Sequence, residues 1–262
     1  MTVIGLGAVL SGCATTDRTT TGSIGPSANG GAQAASPGSF DRMNQQQLMQ
    51  ASASLGARYH DNPKDISTAV DYATVLRMTE RSDQALAVMR SLAIAYPKDR
   101  GVLAAYGKAL ASSGEFEAAL DSLRRAQTPD YPDWKLLSAE AAILDQLGKT
   151  GEARDLYRKA LQIKPDEASI LSNMGMSHVL SGDLATAETY MRKAVAAQGS
   201  DSRVRQNLAL VVGLQGRFDE AEAIASQELS PQQARTNVQY LRSMLSQQNS
   251  WSQLKDKTKP QG

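Results

Sequence analysis

The sequence predicts an all-α protein, a solenoid of stacked helical hairpins, and three observations lead there. Six alanines, Ala51, Ala85, Ala119, Ala153, Ala187 and Ala221, stand 34 residues apart, and Asp65, Asp99, Asp133, Glu167 and Asp201 keep the same interval. Between those marks the apolar residues recur at helical spacing, in two runs separated by Gly114, Gly148, Gly182 and Gly216. A hairpin of this size cannot bury its apolar faces alone, so successive copies must stack.

The first element is an apolar run, Val3 to Leu10, too short to span a bilayer as a helix, and residues 1–12 read as a signal segment. It ends at Leu10-Ser11-Gly12-Cys13, which resembles the lipobox of a bacterial lipoprotein. The resemblance implies cleavage before Cys13, diacylglycerol on its thiol and acylation of its amine. Several acyl chains, at about 0.8 kcal/mol per buried methylene, make such an anchor practically permanent. Only Met1 and Thr2 precede the run, where such signals carry basic residues, so the natural start is expected upstream. By the same resemblance Ala14, rather than Asp, favours the outer membrane and its periplasmic face. The remainder of segment 13–39 is rich in Thr, Ser, Gly, Ala and Pro, too poor in bulky apolar residues to offset the entropy of ordering. It is read as a disordered tether with an r.m.s. span of roughly 28 Å.

Segment 40–65 supplies one helix, Asp41 to Tyr59, expected to cap the stack. Counted from the residue after each acidic mark, five repeats follow, at 66–99, 100–133, 134–167, 168–201 and 202–230. The first helices carry an apolar stripe at their fourth, seventh, eighth and eleventh positions, Ala69, Tyr72, Ala73 and Leu76 in the first repeat, Leu103, Tyr106, Gly107 and Leu110 in the second, and Leu208, Ala209 and Val212 in the last. The eighth position is always Ala or Gly and the twentieth always Ala, so two helices can cross closely there, with Leu123, Tyr157 and Met191 packing around them. The repeating glycines sit where a left-handed residue closes the turn. Asp65, Asp99, Asp133 and Asp201 stand at the N-cap of the following first helix, and Pro63, Pro97, Pro132 and Pro165 break the preceding one. Glu228 takes an apolar slot in the last unit. Pro231 restarts a helix in segment 231–248, whose Val238, Leu241 and Leu245 can cover the final repeat, and 249–262 is expected to be a flexible tail.

Composition excludes several functions. Lys plus Arg, 28, nearly cancels Asp plus Glu, 27, so no net field draws in nucleic acid. Cys13 is the only cysteine and His60 and His178 the only histidines, which leaves no basis for an internal disulfide, a zinc site or a catalytic triad. His178 occupies an eleventh position, where the other repeats carry Leu or Val, and reads as a core histidine. No catalytic residue, cofactor, metal or small-molecule substrate is expected.

The informative surface is the groove that arrays of this kind form from the second, fifth, ninth, twelfth and thirteenth positions of their first helices. Early repeats place Thr74, Arg77, Lys108 and Ser112 there, the middle one Lys135, Ser138, Asp145 and Gln146, and later ones Met176, Val179, Leu180, Leu210 and Leu214. The apolar end could take a partner segment or be filled by the C-terminal helix.

The 34-residue pattern resembles the tetratricopeptide repeat. The ninth positions, Thr74, Lys108, Ala142, Met176 and Leu210, lack the asparagine of the dicarboxylate clamp in relatives that bind chaperone tails. Further strings resemble the TadD-type tetratricopeptide lipoproteins of tight-adherence (Flp) pilus machines. They are Tyr106 to Leu110, Asp130 to Trp134, Leu144 to Gly148, Ser172 to Ser177, Arg205 to Leu210, Gly213 to Phe218 and Asn237 to Arg242. That resemblance implies a pilotin-like adaptor for the pilus apparatus, with the outer-membrane secretin as protein partner and Cys13 as the link to the membrane. A general envelope scaffold, recruiting peptidoglycan enzymes or serving another type IV pilus, is the alternative.

The close crossing makes a direct prediction: Ala153→Leu overpacks it and destabilises the protein by roughly 1–3 kcal/mol, measured by urea denaturation.

Overall fold

In the computed structural model, residue 40 and residues 43–128, 130 and 132–257 are described. The signal segment, Cys13 and the tether lie outside them. Among the described residues there are helices and no strands, which is the all-α architecture the 34-residue period requires. The helices are α1 (Gln45–Asp61), α2 (Ile66–Met78), α3 (Ser82–Ala95), α4 (Arg100–Ser112), α5 (Phe116–Ala126), α6 (Trp134–Gln146), α7 (Thr150–Ile163), α8 (Ala168–Leu180), α9 (Leu184–Ala196), α10 (Ser202–Leu214), α11 (Phe218–Ala225) and α12 (Pro231–Lys257).

Each first helix begins on the residue after the acidic mark because that residue supplies the cap. Oδ1 of Asp65, Asp99 and Asp201 accepts from the amides of Thr68, Val102 and Val204 at 2.8, 2.8 and 3.0 Å, and Asp133 accepts from Lys135 at 2.8 Å. Glu167 stands at the same register without such a bond, its longer side chain accepting from the Ser169 hydroxyl instead. The turn into each second helix also repeats: the amides of Arg81, Glu115, Lys149, Asp183 and Arg217 each donate to the carbonyl of the eleventh position, at 2.8–3.2 Å. Gly114, Gly148, Gly182 and Gly216 lie just before these amides with φ of 75–82°. In the first repeat that place belongs to Glu80, held at φ 60°. The turn is imposed by the stack, so a side chain that disfavours the conformation accepts it.

The crossing within each hairpin is the tightest contact. Ala85, Ala119, Ala153, Ala187 and Ala221 are fully buried. A Cβ added to Gly107 would lie 2.8 Å from Leu123 Cγ and 3.2 Å from the Ala119 carbonyl oxygen; one added to Gly175 would meet Met191 Cε at 3.0 Å and the Ala187 oxygen at 3.1 Å. The eighth and twentieth positions therefore face each other backbone to backbone. Around them one continuous apolar core runs from Ala69 to Met174 and includes Leu76, Met89, Leu110, Leu123, Leu144 and Tyr157.

Three expectations need correction. The capping helix α1 starts at Gln45 rather than Asp41, because Asn44 and Gln47 form a reciprocal capping box, with bonds of 2.9 and 2.8 Å. At the other end α12 runs on to Lys257, through most of the stretch expected to be a flexible tail, since neither Pro nor Gly interrupts the sequence after Pro231 until Pro260. His178 is only partly buried: its side chain is 14% exposed, its ring stacks on Tyr190 at 5.5 Å, and Nδ1 lies 3.2 Å from Asp183 Oδ2. It ties the end of α8 to the start of α9 rather than filling the core.

Glu80→Gly should relieve the left-handed strain and stabilise the protein by up to about 1 kcal/mol; urea titrations of the two chains check it, and a loss of stability would contradict the strain.

Candidate functional site: the face of the first helices

Successive first helices touch one another, α2 with α4, α4 with α6, α6 with α8, and α8 with α10, and α12 touches α10 in the same way. They make one continuous side of the stack. The C-terminal helix thus takes the place of a sixth first helix and extends that side. Its fit is close, with Leu241 Cδ2 only 2.6 Å from where a Cβ on Gly213 would stand and Val238 buried beside Leu208, Val211 and Val212. Arg242 lies 4.9 Å over the Phe218 ring.

At the N-terminal end of this side stand three cations, one on each of three successive first helices: Arg77 on α2, Lys108 on α4 and Lys135 on α6. The protein packed about the Lys108 stem, followed by the charges of Arg77 and Lys135, pushes its pKa down, with Asp133 a partial offset. Burial lowers the Arg77 pKa as well. Among the described residues none of the three makes an ion pair; Lys135 Nζ lies 5.5 Å over the Trp134 ring. Thr74 and Ser112, predicted beside them, turn their hydroxyls back onto their own helices, donating to the carbonyls of Val70 at 2.8 Å and Lys108 at 3.0 Å.

The middle of the face differs from expectation. Ser138 and Asp145, read as groove residues, are 7% and 8% exposed, because both serve the joint between the third and fourth repeats. Ser138 Oγ accepts from Asn173 Nδ2 at 3.3 Å, and one repeat later Ser172 Oγ accepts from Asn207 at 3.1 Å. Asp145 Oδ1 accepts from the Ser177 hydroxyl at 2.8 Å, and Arg154 donates to Ser177 O at 2.8 Å and to Ser181 Oγ at 2.5 Å. Burial raises the Asp145 pKa, against the pull of Ser177, Tyr157 and Arg154. Burial and the neighbouring Asp145 carboxylate push the Tyr157 hydroxyl far up. Such a satisfied polar network fixes how neighbouring repeats register. The recurrence of Ser138 and Ser172, and of Asn173 and Asn207, at 34 residues was the signal for it in the sequence.

The C-terminal part of the face is apolar. Met176 and Val179 are half-buried against the cluster of Met191, Leu208, Val212 and Val238. Leu180 is 57% exposed, and Leu210 and Leu214 are half-buried. On the second helices the charges are paired instead: Glu188 accepts from Gln215 at 2.8 Å, Arg192 at 2.8 Å and Arg217 at 2.7 Å. Among the described residues no cluster of His, Cys, Asp or Glu could hold a metal ion, and no helix is long and apolar enough to cross a membrane.

Two profiles of the tetratricopeptide repeat match the sequence, one over residues 71–133 and 173–234, the other over 136–167, together more than half of the chain. The chain is a tetratricopeptide-repeat protein. Such repeats are scaffolds for protein–protein interaction. No curated protein matches the sequence. Among solved structures, PilW, described as a widely conserved type IV pilus biogenesis factor, superposes with a TM-score of 0.61 at 17% identity over 76% of this chain and 93% of its own. A thermophilic tetratricopeptide protein of Thermus thermophilus gives 0.56 at 22% over 66% and 96%, and Pseudomonas aeruginosa PilF 0.52 at 18% over 75% and 90%. At these identities the likeness is one of fold.

The Glu188 cluster yields a pH prediction. Although burial pushes its pKa up, bonds from Gln215, Arg192 and Arg217 win and hold it at about 2, against an ordinary 4.5. A depressed carboxylate stabilises the fold fully above its unfolded pKa and loses that contribution as pH falls towards the folded one. Glu188→Gln should therefore cost roughly 1–3 kcal/mol at pH 7 and flatten the fall in stability between about pH 4.5 and 2, as read by urea midpoints across that range.

Proposed function

We propose that this repeat protein is a membrane-anchored, pilotin-like adaptor that assists assembly or localisation of the Flp pilus secretion machinery, holding its outer-membrane secretin. The observation that carries the reading is Leu10-Ser11-Gly12-Cys13, placed where an apolar run meets the polar tract that leads into the repeat body. Lipid on Cys13 would fix the protein at the periplasmic face of the outer membrane, and the tract would let the body search the space beneath its anchor. The strings that resemble the tight-adherence family support the pilus assignment. Two of them meet at the joint of α10, α11 and α12, where Gly213 faces Leu241 and Arg242 lies over Phe218, and two more meet where Asn207 donates to Ser172. The fold shared with PilW and PilF agrees with it without deciding it.

In the native host, Cys13→Ser should abolish lipid labelling, release the protein from the outer membrane and lower the number of surface pili. Full piliation with a soluble variant would remove the anchored-adaptor mechanism. Photoreactive residues at Lys108, Met176 and Leu210 should crosslink to the secretin; labelling of a peptidoglycan enzyme instead would favour a general envelope scaffold.

A further inference from the structure

At the twenty-fifth position of the 34-residue register the chain carries Arg90 on α3, Arg124 on α5, Arg158 on α7 and Arg192 on α9, but Gly56 on α1. Three of these arginines cross to the next hairpin, Arg90 to Glu115 at 3.2 Å, Arg124 to Glu140 at 2.6 Å and Arg192 to Glu220 at 2.7 Å. Another guanidinium crosses the opposite way: Arg125 donates to the Pro97 carbonyl at 3.1 Å, and one repeat earlier its place is taken by Ser91. The joint between α1 and the first hairpin therefore lacks both cations. What stands there is a cavity of about 460 Å³, whose wall includes Gly56, Tyr59 and His60 at the end of α1, Pro63 after it, Tyr72 on α2 and Gln84 on α3. Tyr72, Gln84 and Pro63 are in register with Glu140, Glu220 and Pro97, the residues that accept from arginine at the later joints.

We propose that this cavity receives an arginine side chain presented by a partner protein, in the place of the one that Gly56 omits. Gly56 leaves the room for it: a Cβ there would lie 3.1 Å from Tyr72 Oη and 3.3 Å from its Cζ. The Tyr59 and Tyr72 rings, both half-buried, meet at 5.7 Å and 35°, and among the described residues neither hydroxyl has a hydrogen-bond partner. Arg81 does not line the cavity, since Ser52 and Gln84 hold its guanidinium. Among the described residues no carboxylate lines it either, and that selects between the two basic side chains. An ammonium keeps its water unless an acid replaces it, whereas a guanidinium is weakly hydrated and stacks on aromatic faces. The cavity also adjoins the last turn of α1, where open carbonyls and the negative end of the helix dipole favour a cation. The site uses none of the groove positions of the first helices, and it rests neither on lipid at Cys13 nor on the pilus reading.

The test uses the full chain with isotope-labelled tyrosine rings, followed by NMR, and N-acetyl-arginine methylamide as the probe for an arginine held in a protein. The Tyr59 and Tyr72 signals should move together and saturate in the millimolar range. The capped lysine and norleucine analogues should each bind at least about threefold more weakly. Gly56→Arg supplies the arginine from within, so the probe should no longer move Tyr59 and Tyr72, while Tyr157 and Tyr190 keep their parent signals and show that the stack is folded. Tyr72→Phe keeps the ring but removes an acceptor; read at Tyr59, it should weaken the arginine probe about threefold and leave the norleucine probe unchanged. Equal binding of the arginine probe and either analogue, or undiminished binding in Gly56→Arg, would overturn the proposal. Tighter binding of free arginine than of the capped residue would mark a small-molecule site, and self-association that Gly56→Arg abolishes would give the cavity to a second copy; each overturns it too. Because these measurements involve neither lipid nor secretin, they can fail while Cys13 anchoring and secretin crosslinking hold, and the converse is equally visible.

Discussion

Two helices of a hairpin can approach to backbone contact only where neither carries a bulky side chain, and everything else in this body depends on that crossing. The eighth and twentieth positions meet there in each repeat, Ala or Gly against Ala, with carbonyl oxygens 3.1–3.2 Å from where a Cβ would stand on Gly107 and Gly175. The larger side chains, Leu123, Tyr157 and Met191, are buried around the crossing rather than in it. Once its depth is fixed, the turn that closes the hairpin is fixed too. Glu80 shows how strongly, since it takes the left-handed conformation that glycine supplies in the other four repeats.

Apolar contact between repeats sets their separation but says little about their register, because apolar surfaces can slide. The polar joints remove that freedom. Asn173 reaches back to Ser138 and Asn207 to Ser172, while Ser177 and Arg154 close around Asp145. Each such group would cost free energy if left unpaired in the interior, so only one alignment of neighbouring repeats satisfies them all. A uniquely registered stack is what keeps the first helices in one continuous side.

That face is polarised. Arg77, Lys108 and Lys135 stand at its N-terminal end, and its apolar end is continuous with the core under α12. The division arises because helices of one repeat length place equivalent positions side by side, so a change of residue type from repeat to repeat becomes a gradient in space. Nothing about the hairpins themselves demands it.

The 34-residue interval alone determined the helices, the hairpin crossing, the caps at Asp65, Asp99, Asp133 and Asp201, and the glycine turns, because each is a local property of spacing and residue type. The assembly of the site was only partly legible. Arg77, Lys108, Met176, Leu180, Leu210 and Leu214 lie on first helices, yet only the tertiary structure decided that Ser138 and Asp145 are consumed by the joint between repeats. It also decided that α12 continues the row of first helices and that His178 braces a turn. These depend on which side chains from different repeats come within bonding distance, and a periodicity specifies position along the chain without specifying that meeting in space.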